Sequence, residues 1–584
     1  MLVFANHLDL LRVLCLTGLT PPRCAVLPQA LVMRSLLPLA AAASLILALT
    51  AGALPKVSRV GPYLYADDGS RFFIKGIAYQ TQGLVVSGPD NPLNQPSTFV
   101  DNLADGNACA RDVPILQQLG VNSIRAYSVN SSLNHDSCMQ ALSSAGIYVI
   151  LDLTLPLNGS IDTTLPAWST NTLDQYLRTI DAFEKYDNVL AYNVGNEVIT
   201  PSASQSTPFI AAAARDIRAY LNSISSSALV GYAAIDGPSS FVLNEANFLA
   251  CTAGSLDLFG LNNYEWCGNA PNNTFDSLNK EFANYGIAAY FSEFGSENCH
   301  PDPRVWTEVP VMFSEPMTDV WSGGLAFGYF SAISRGSDFG MATISPDNTT
   351  VTTNADFANL AAAYKAVTFV NTPAQGSVPT PALPACPKSS PPAWNASTPL
   401  PQTPDDAACG CLAEELSCLF EPPTPDYMML VGDLIGIACG LVQTAGGTCD
   451  DISSDGVTGT YGRVAMCDPT IKLSYVMSQY YELNHRANVA CSFSGNGTVN
   501  ANAPTGVLAS AAASSCIPSA AVFTPSAPPV LVPVPPSSSG KSTGSSTSGN
   551  PTNGVMPSII SRGALFGMTA TVGCVVGAMI WTWA

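Results

Sequence analysis

The chain has 584 residues, room for two or three domains of ordinary size, so one function need not cover all of it. Its formal charge is −20, with 23 Lys and Arg against 43 Asp and Glu, a balance that repels phosphate backbones and excludes nucleic acid as an expected partner. Only 11% of residues are charged while 47% are hydrophobic, which places the burden of solubility on Ser, Thr, Asn and glycans, as on an exported protein.

Residues 1–53 form the expected export region. MRSLLPLAAAASLILALTAGA (33–53) has a short basic start, an apolar run and a small-x-small ending at Ala51-Gly52-Ala53, so the mature chain is expected to begin near Leu54. The residues before Met33 add nothing that export needs, which makes Met33 a candidate true start; an uncleaved signal anchor is the alternative reading.

From 54 to 370 short β-rich runs alternate with longer helical patterns. Expected strands are 72–80, 122–129, 148–153, 189–195, 229–235, 256–264, 288–295 and 323–330, with helices over 172–186 and 206–224 among the segments between them. This is the pattern of an α/β protein, a (β/α)8 TIM barrel. A doubly wound open sheet is the competing architecture, but no glycine-rich phosphate loop follows the first run.

Residues 371–404 are a Pro-rich connector that would not fold alone. Eight cysteines then fall within 405–516, the signature of a small disulfide-rich module. Its C-x-C-x6-C run also fits a metal site, but an exported, oxidising setting disfavours zinc. Residues 517–554 read as a Ser/Thr/Pro-rich stalk, and 555–584 as a glycolipid (GPI) anchor signal that is removed, with attachment at Asn553 or Ser548. The apolar tail 563–584 is also long enough for a transmembrane helix, although no basic residue follows it. Cys15 and Cys24 precede the cleavage point and Cys574 lies in the tail, so the odd total of 17 leaves an even number to pair. Sequons at Asn130, Asn158, Asn272, Asn348, Asn395 and Asn496 agree with export.

In a TIM barrel the C-terminal ends of strands line the site. Glu197 follows the fourth expected strand in YNVGNE (192–197), and Glu293 ends the seventh in SEFG (292–295). Two facing carboxylates about 5–5.5 Å apart are what a retaining glycosidase needs. Each glutamate alone is an ordinary loop-end residue; the pair in one barrel is informative.

Together with IKGIAYQ (74–80), IRAYSVN (124–130), NNYEWCG (262–268) and GGLAFGY (323–329), these motifs resemble the fungal β-1,3-glucanosyltransferases of glycoside hydrolase family 72, and the cysteine-rich module resembles carbohydrate-binding module family 43. The resemblance implies an enzyme that cuts β-1,3-glucan internally and joins the new reducing end to another glucan. Glu197 would be its acid/base and Glu293 its nucleophile. Asn196 would bind the sugar 2-hydroxyl and Tyr264 would hold the nucleophile, with Gln80, Tyr127, Asp152 and Tyr329 lining the groove. It further implies the pairs Cys109–Cys138, Cys251–Cys386, Cys267–Cys299, Cys409–Cys467, Cys411–Cys516, Cys418–Cys491 and Cys439–Cys449. No metal or other cofactor and no obligate protein partner is expected. The partners are glucan donor and acceptor chains and, through the lipid, the membrane; the location is the outer face of the plasma membrane and the cell wall. Phe294, Ser296, Phe327 and Gly328 depart from the family pattern, which puts the subsites near strand eight in question. A hydrolytic β-1,3-glucanase and a catalytically impaired wall-binding protein stay open as alternatives.

Overall fold

A computed structural model describes residues 53–527, apart from 87–95, 157–159, 252–255, 298, 300, 335, 380–381, 425–427 and 518–520. The expected export region up to Gly52, the expected anchor signal with Asn553 and Ser548, the greater part of the expected stalk and the Asn158 sequon lie outside the described residues.

Eight parallel strands close a barrel in chain order: β1 (Ile74–Ala78), β2 (Ser123–Ala126), β3 (Tyr148–Asp152), β4 (Val189–Asn196), β5 (Leu229–Ile235), β6 (Leu258–Asn262), β7 (Ala288–Phe294) and β8 (Trp321–Ala326), with β8 paired back to β1. Each falls on an expected run, because a parallel strand covered on both faces is written as a nearly unbroken apolar stretch; β3, β6 and β7 are buried at every position. An N-terminal hairpin pairs Val57–Val60 with Tyr63–Ala66, and its Val57 and Leu64 pack with Ile74, Ile150, Leu190 and Leu258 in a core at the starts of the strands.

Helices α1 (Gly106–Leu119), α2 (Asp136–Ser144), α3 (Thr170–Phe183), α4 (Thr207–Ser223), α5 (Ser239–Ala250), α6 (Asp276–Phe282), α7 (Glu308–Met312) and α8 (Ala355–Ala366) surround the sheet. In α3 the buried Leu173, Tyr176, Leu177, Ile180 and Phe183 recur at helical spacing and face the strands. Helix α1 starts on the Asp105 carboxylate, which accepts from the amides of Asn107 and Ala108, and stops at Gly120, whose φ of 82° closes the last turn.

The Pro-rich connector acts as a strap. Trp394 is fully buried, its ring 6.0 Å from Phe241 and 6.1 Å from Phe248 on α5, and Cys251 at the end of that helix is bonded to Cys386. Thr403 Oγ1 donates to Asp216 at 2.8 Å, and Arg215 donates to the Pro401 carbonyl at 2.9 Å. A segment with little apolar content of its own is thus ordered by the barrel surface. Trp394→Ala is expected to cost about 3–5 kcal/mol, as truncation of a fully buried aromatic does. Denaturant unfolding of the full chain measures the loss, and limited proteolysis should then cut within 371–404.

The cysteine-rich module consists of α9 (Asp406–Glu415), α10 (Met428–Thr444), α11 (Pro469–Leu483) and α12 (Ala509–Cys516) around a core that includes Leu412, Val442, Leu473, Val476 and Met477. It meets the barrel where the Thr170 amide donates to the Met466 carbonyl at 2.9 Å and where Phe209 and Tyr461 pack edge to face at 5.6 Å. Four bonds staple it: Cys409–Cys467, Cys411–Cys516, Cys418–Cys491 and Cys439–Cys449. In the barrel Cys109–Cys138 joins α1 to α2, and Cys267–Cys299 joins the loops after β6 and β7.

The stalk boundary needs correction. Ile517 is 2% exposed within the module core, and the Ala521 carbonyl accepts from the Thr403 amide at 3.1 Å, so the expected stalk does not begin at 517. Among the described residues no helix is long and apolar enough to cross a membrane.

Candidate active site

The ends of β2, β3, β4, β6 and β7 converge on one hydrogen-bonded network. At its centre is Arg125 of β2, fully buried in the barrel. Its Nη2 donates to Asp152 Oδ2 at 2.6 Å and to Asn196 Oδ1 at 2.8 Å, its Nε to Asp152 Oδ1 at 3.1 Å, and its Nη1 to Glu293 Oε1 at 3.3 Å. Burial alone would lower the pKa of the guanidinium, but Asp152, Tyr127 and Glu293 outweigh it and hold it well above its ordinary value. Asn193 Nδ2 donates to Asp152 at 2.6 Å, which fixes the carboxylate behind the arginine.

Glu293 lies in β7 with 8% exposure. Besides Arg125 it has two phenol donors: Tyr127 Oη donates to Oε1 at 2.8 Å and Tyr264 Oη to Oε2 at 2.9 Å. Both carboxylate oxygens are therefore oriented. Burial pushes the acid up to about 7; Arg125 opposes that rise, the neighbouring Glu197 charge adds to it, and the two phenols favour the charged form. Burial and then the Glu293 charge raise the pKa of both tyrosines well above the usual value, which keeps their protons in place to donate.

Glu197 comes one residue after β4 with φ +53°, a left-handed conformation rare outside glycine, and its amide donates to the Ala233 carbonyl of β5 at 2.9 Å. Asn262 at the end of β6 joins the two halves of the site: its Nδ2 donates to Glu197 Oε1 at 2.8 Å and to Asn196 Oδ1 at 3.2 Å, while its Oδ1 accepts from Ser292 Oγ at 2.8 Å. With Oδ1 of Asn196 taken by Arg125 and Asn262, its amide nitrogen is left as a donor.

Three expected groove residues take other places. Gln80 Oε1 accepts the amides of Tyr127 at 3.1 Å and Ser128 at 3.2 Å and its Nε2 donates to the Val100 carbonyl, so it holds the loop that carries Tyr127. Asp152, 1% exposed, is committed to Arg125 beneath the mouth instead of lining it. Tyr329 is fully buried, with ring centroids 5.4 Å from Tyr79 and 4.8 Å from Phe330, and belongs to the core instead of the groove. The departing residue Phe327 is half-buried and meets Tyr127 edge to face at 6.4 Å and Phe339 at 5.4 Å.

Arg125, Asn262, Asp236 and Arg304 were missed by sequence reasoning. A charged residue inside an otherwise apolar barrel strand was the available signal for Arg125. Asp236, just after β5, accepts from Asn263 at 3.2 Å, and burial pushes it up to about 6 with Glu265 adding to the rise, so a third carboxyl faces the loop of Tyr264. Arg304 fastens the rim on the Glu293 side: it donates to the carbonyls of Gly295 at 3.2 Å, Phe327 at 2.7 Å and Phe339 at 2.9 Å and pairs with Asp356 at 3.0 Å. Gly295 must be glycine there, since its φ is +104° and a Cβ would lie 2.3 Å from the Trp306 ring. Among the described residues Cys411, Glu415 and Cys516 cluster at metal-ligand spacing, but the two cysteines are bonded to each other.

The raised Glu293 pKa makes a signed stability prediction. A carboxyl held near 7 in the fold and near 4.5 when unfolded contributes stability that is full below about 4.5 and lost as pH rises through about 7. Glu293→Gln, which mimics the protonated acid, should raise the unfolding temperature more at pH 8 than at pH 4.5. Thermal scans at the two pH values check this, and an equal change at both would remove the burial argument.

Comparison with known proteins gives this geometry a lineage. Residues 50–368 match the family model described as glucanosyltransferase, glycoside hydrolase family 72, and residues 416–498 match the X8 domain. "Protein EPD2" of Candida maltosa is 36% identical over 498 residues, covering 82% of this chain and 86% of that one. The "1,3-beta-glucanosyltransferase gas1" of Schizosaccharomyces pombe is 36% identical over 463 residues, covering 77% and 80%. Among solved structures, Saccharomyces cerevisiae Gas2p in complex with laminaritriose and laminaritetraose superposes with a TM-score of 0.68 at 32% identity, covering 78% of this chain and 99% of that one. A closed parallel barrel with two glutamates on one network and a cysteine-rich module behind it thus has a family: the chain belongs to the glucanosyltransferases of glycoside hydrolase family 72.

Proposed function

We propose that the chain is a retaining 1,3-β-glucanosyltransferase. The observation that carries the reading is the single network Glu293–Arg125–Asn196–Asn262–Glu197, which holds one carboxylate by three donors and a second by an amide at the mouth of one barrel.

Glu293 attacks the anomeric carbon of a β-1,3-linked glucose while Glu197 gives its proton to the departing glycosidic oxygen, leaving a covalent glycosyl-enzyme. Tyr127, Tyr264 and Arg125 aim the attacking carboxylate. Asn196 donates its free amide proton to the sugar 2-hydroxyl, a contact that strengthens as charge develops at the anomeric carbon. Glu197, now ionised, takes the proton from an incoming hydroxyl, which attacks the same carbon and restores the β configuration. Water as acceptor gives hydrolysis; a glucan hydroxyl gives a longer chain. The relative solved with laminaritriose and laminaritetraose supports β-1,3-glucan as the sugar at this mouth.

Incubating the enzyme with a reduced laminari-oligosaccharide tests the reading. Longer products are expected. Shorter products alone would make the chain a hydrolase, and unchanged sugar a binder.

The Ser/Thr-rich segment and the apolar tail 563–584 support attachment to the outer leaflet by a glycolipid at Asn553 or Ser548. Phosphatidylinositol-specific phospholipase C should then release the protein from membranes. Recovery of the 563–584 peptide from the mature membrane protein would mean a transmembrane helix instead.

A further inference from the structure

Behind the acid/base loop lie two fully buried groups that the reaction above does not use, Tyr232 on β5 and Glu245 on α5. The Tyr232 hydroxyl oxygen accepts the Ile199 amide at 2.9 Å, two residues beyond Glu197. Its ring also lies under Gly195, where an added Cβ would come within 3.1 Å of it. The segment from Gly195 to Ile199 therefore rests on Tyr232 at two points, and between them Glu197 has its φ of +53°. A non-glycine residue in that region carries strain of about 1–3 kcal/mol and stays there only where its surroundings impose it.

A phenol that has accepted an amide still has its own proton to donate, and the fully buried Glu245 is the carboxyl coupled to it electrostatically. Burial pushes Glu245 well above the usual carboxyl range, the Tyr232 hydroxyl opposes the rise and the Glu197 charge adds to it. Neither Glu245 oxygen has a hydrogen-bond partner among the described residues, and the Tyr232 hydroxyl acts on the carboxyl electrostatically. Burial disfavours a second negative charge at Glu245 behind Glu197. The loop has other ties, including Ser206 Oγ donating to the Val198 carbonyl at 3.2 Å, so loss of one hydroxyl shifts the segment without unfolding it.

We propose that Tyr232, backed by Glu245, is a positioning residue that holds Glu197 in its left-handed backbone and so aims the acid/base carboxyl at the glycosidic oxygen. The proposal rests on the reading of Glu197 as acid/base, and the test separates the two. The full-length secreted enzyme is assayed with two donors: a laminari-oligosaccharide, whose leaving hydroxyl needs a proton, and a 2,4-dinitrophenyl β-laminarioside, whose leaving group departs without one. Tyr232→Phe should lower kcat on the oligosaccharide by about 10- to 100-fold, as a misaimed catalytic group does, with KM within about threefold. First-turnover release of dinitrophenolate should stay within about threefold of the parent enzyme.

Glu245→Leu should move kcat the same way, and Glu245→Gln, which keeps an acceptor for the phenol, should restore it. If Tyr232→Phe is not secreted, the Leu and Gln variants of Glu245 read the same split. Equal losses on both donors, or no loss on either, would overturn the proposal. Glu197→Gln run alongside must show the donor split itself; if it does not, the acid/base reading fails, whereas a split there and none in the Tyr232 and Glu245 variants rejects only the positioning role.

Discussion

Glu293→Gln is expected to reduce turnover by more than about 10,000-fold on every donor, because no covalent intermediate forms without the attacking carboxylate. Glu197→Gln should behave differently. On laminari-oligosaccharides it loses about 100- to 10,000-fold, the span of a missing general acid. On a dinitrophenyl donor its first step survives, and the glycosyl-enzyme accumulates because no base activates the acceptor. Azide, which needs no deprotonation, should then release a β-glycosyl azide from the Glu197 variant and nothing from the Glu293 variant. Burst kinetics and the stereochemistry of the azide product check both roles. An α-azide, or rescue of the Glu293 variant by azide instead, would exchange or abolish the assignments. Neither change should unfold the enzyme. Glutamine at 197 still accepts from Asn262, and glutamine at 293 removes a buried carboxylate whose pKa burial has already raised.

The barrel and the two strand-end glutamates were legible in the sequence for one physical reason. Parallel strands buried on both faces must be written as apolar runs, so a Glu directly after such a run, as at 197, or at its end, as at 293, stands out. Tyr329, expected in the groove only from the resemblance, lies beyond the end of β8 at Ala326 and is fully buried. Asp152 was correctly placed at a strand end, yet no spacing rule reveals that Arg125 on the preceding strand takes both its oxygens. Arg125 itself lay in plain view within IRAYSVN. Its role depends on partners 27 to 168 residues away, which only the closed barrel brings together. The connector's composition says that it cannot fold alone, but not that Trp394 finds a slot on α5.

Arg125 is where a single substitution should lower stability and activity together. Arg125→Met leaves Asp152 and Glu293 buried without their common cation, and breaking a buried pair in this way costs about 3–5 kcal/mol. Arg125→Lys keeps the charge but has no fork, so it cannot bond Asp152, Asn196 and Glu293 together. It should lose less stability yet still lower kcat by about 100-fold, because Asn196 and the proposed nucleophile Glu293 both lose a fixed partner. The stability loss in the methionine variant has a signed pH dependence. Without Arg125 burial acts unopposed by that charge on both carboxyls, so their folded pKa values rise further above the unfolded ones. Their uncompensated charge then destabilises the fold most at alkaline pH, and the deficit shrinks as pH falls and protons neutralise them. Denaturant midpoints of the two variants and the parent between pH 4.5 and 8.5 measure this. A deficit that is flat across that range would mean that Arg125 acts through packing and not through its charge. Adding Asp152→Asn to Arg125→Met should recover part of the loss, since the orphaned carboxylate is then gone; strict additivity of the two changes would break the link between them.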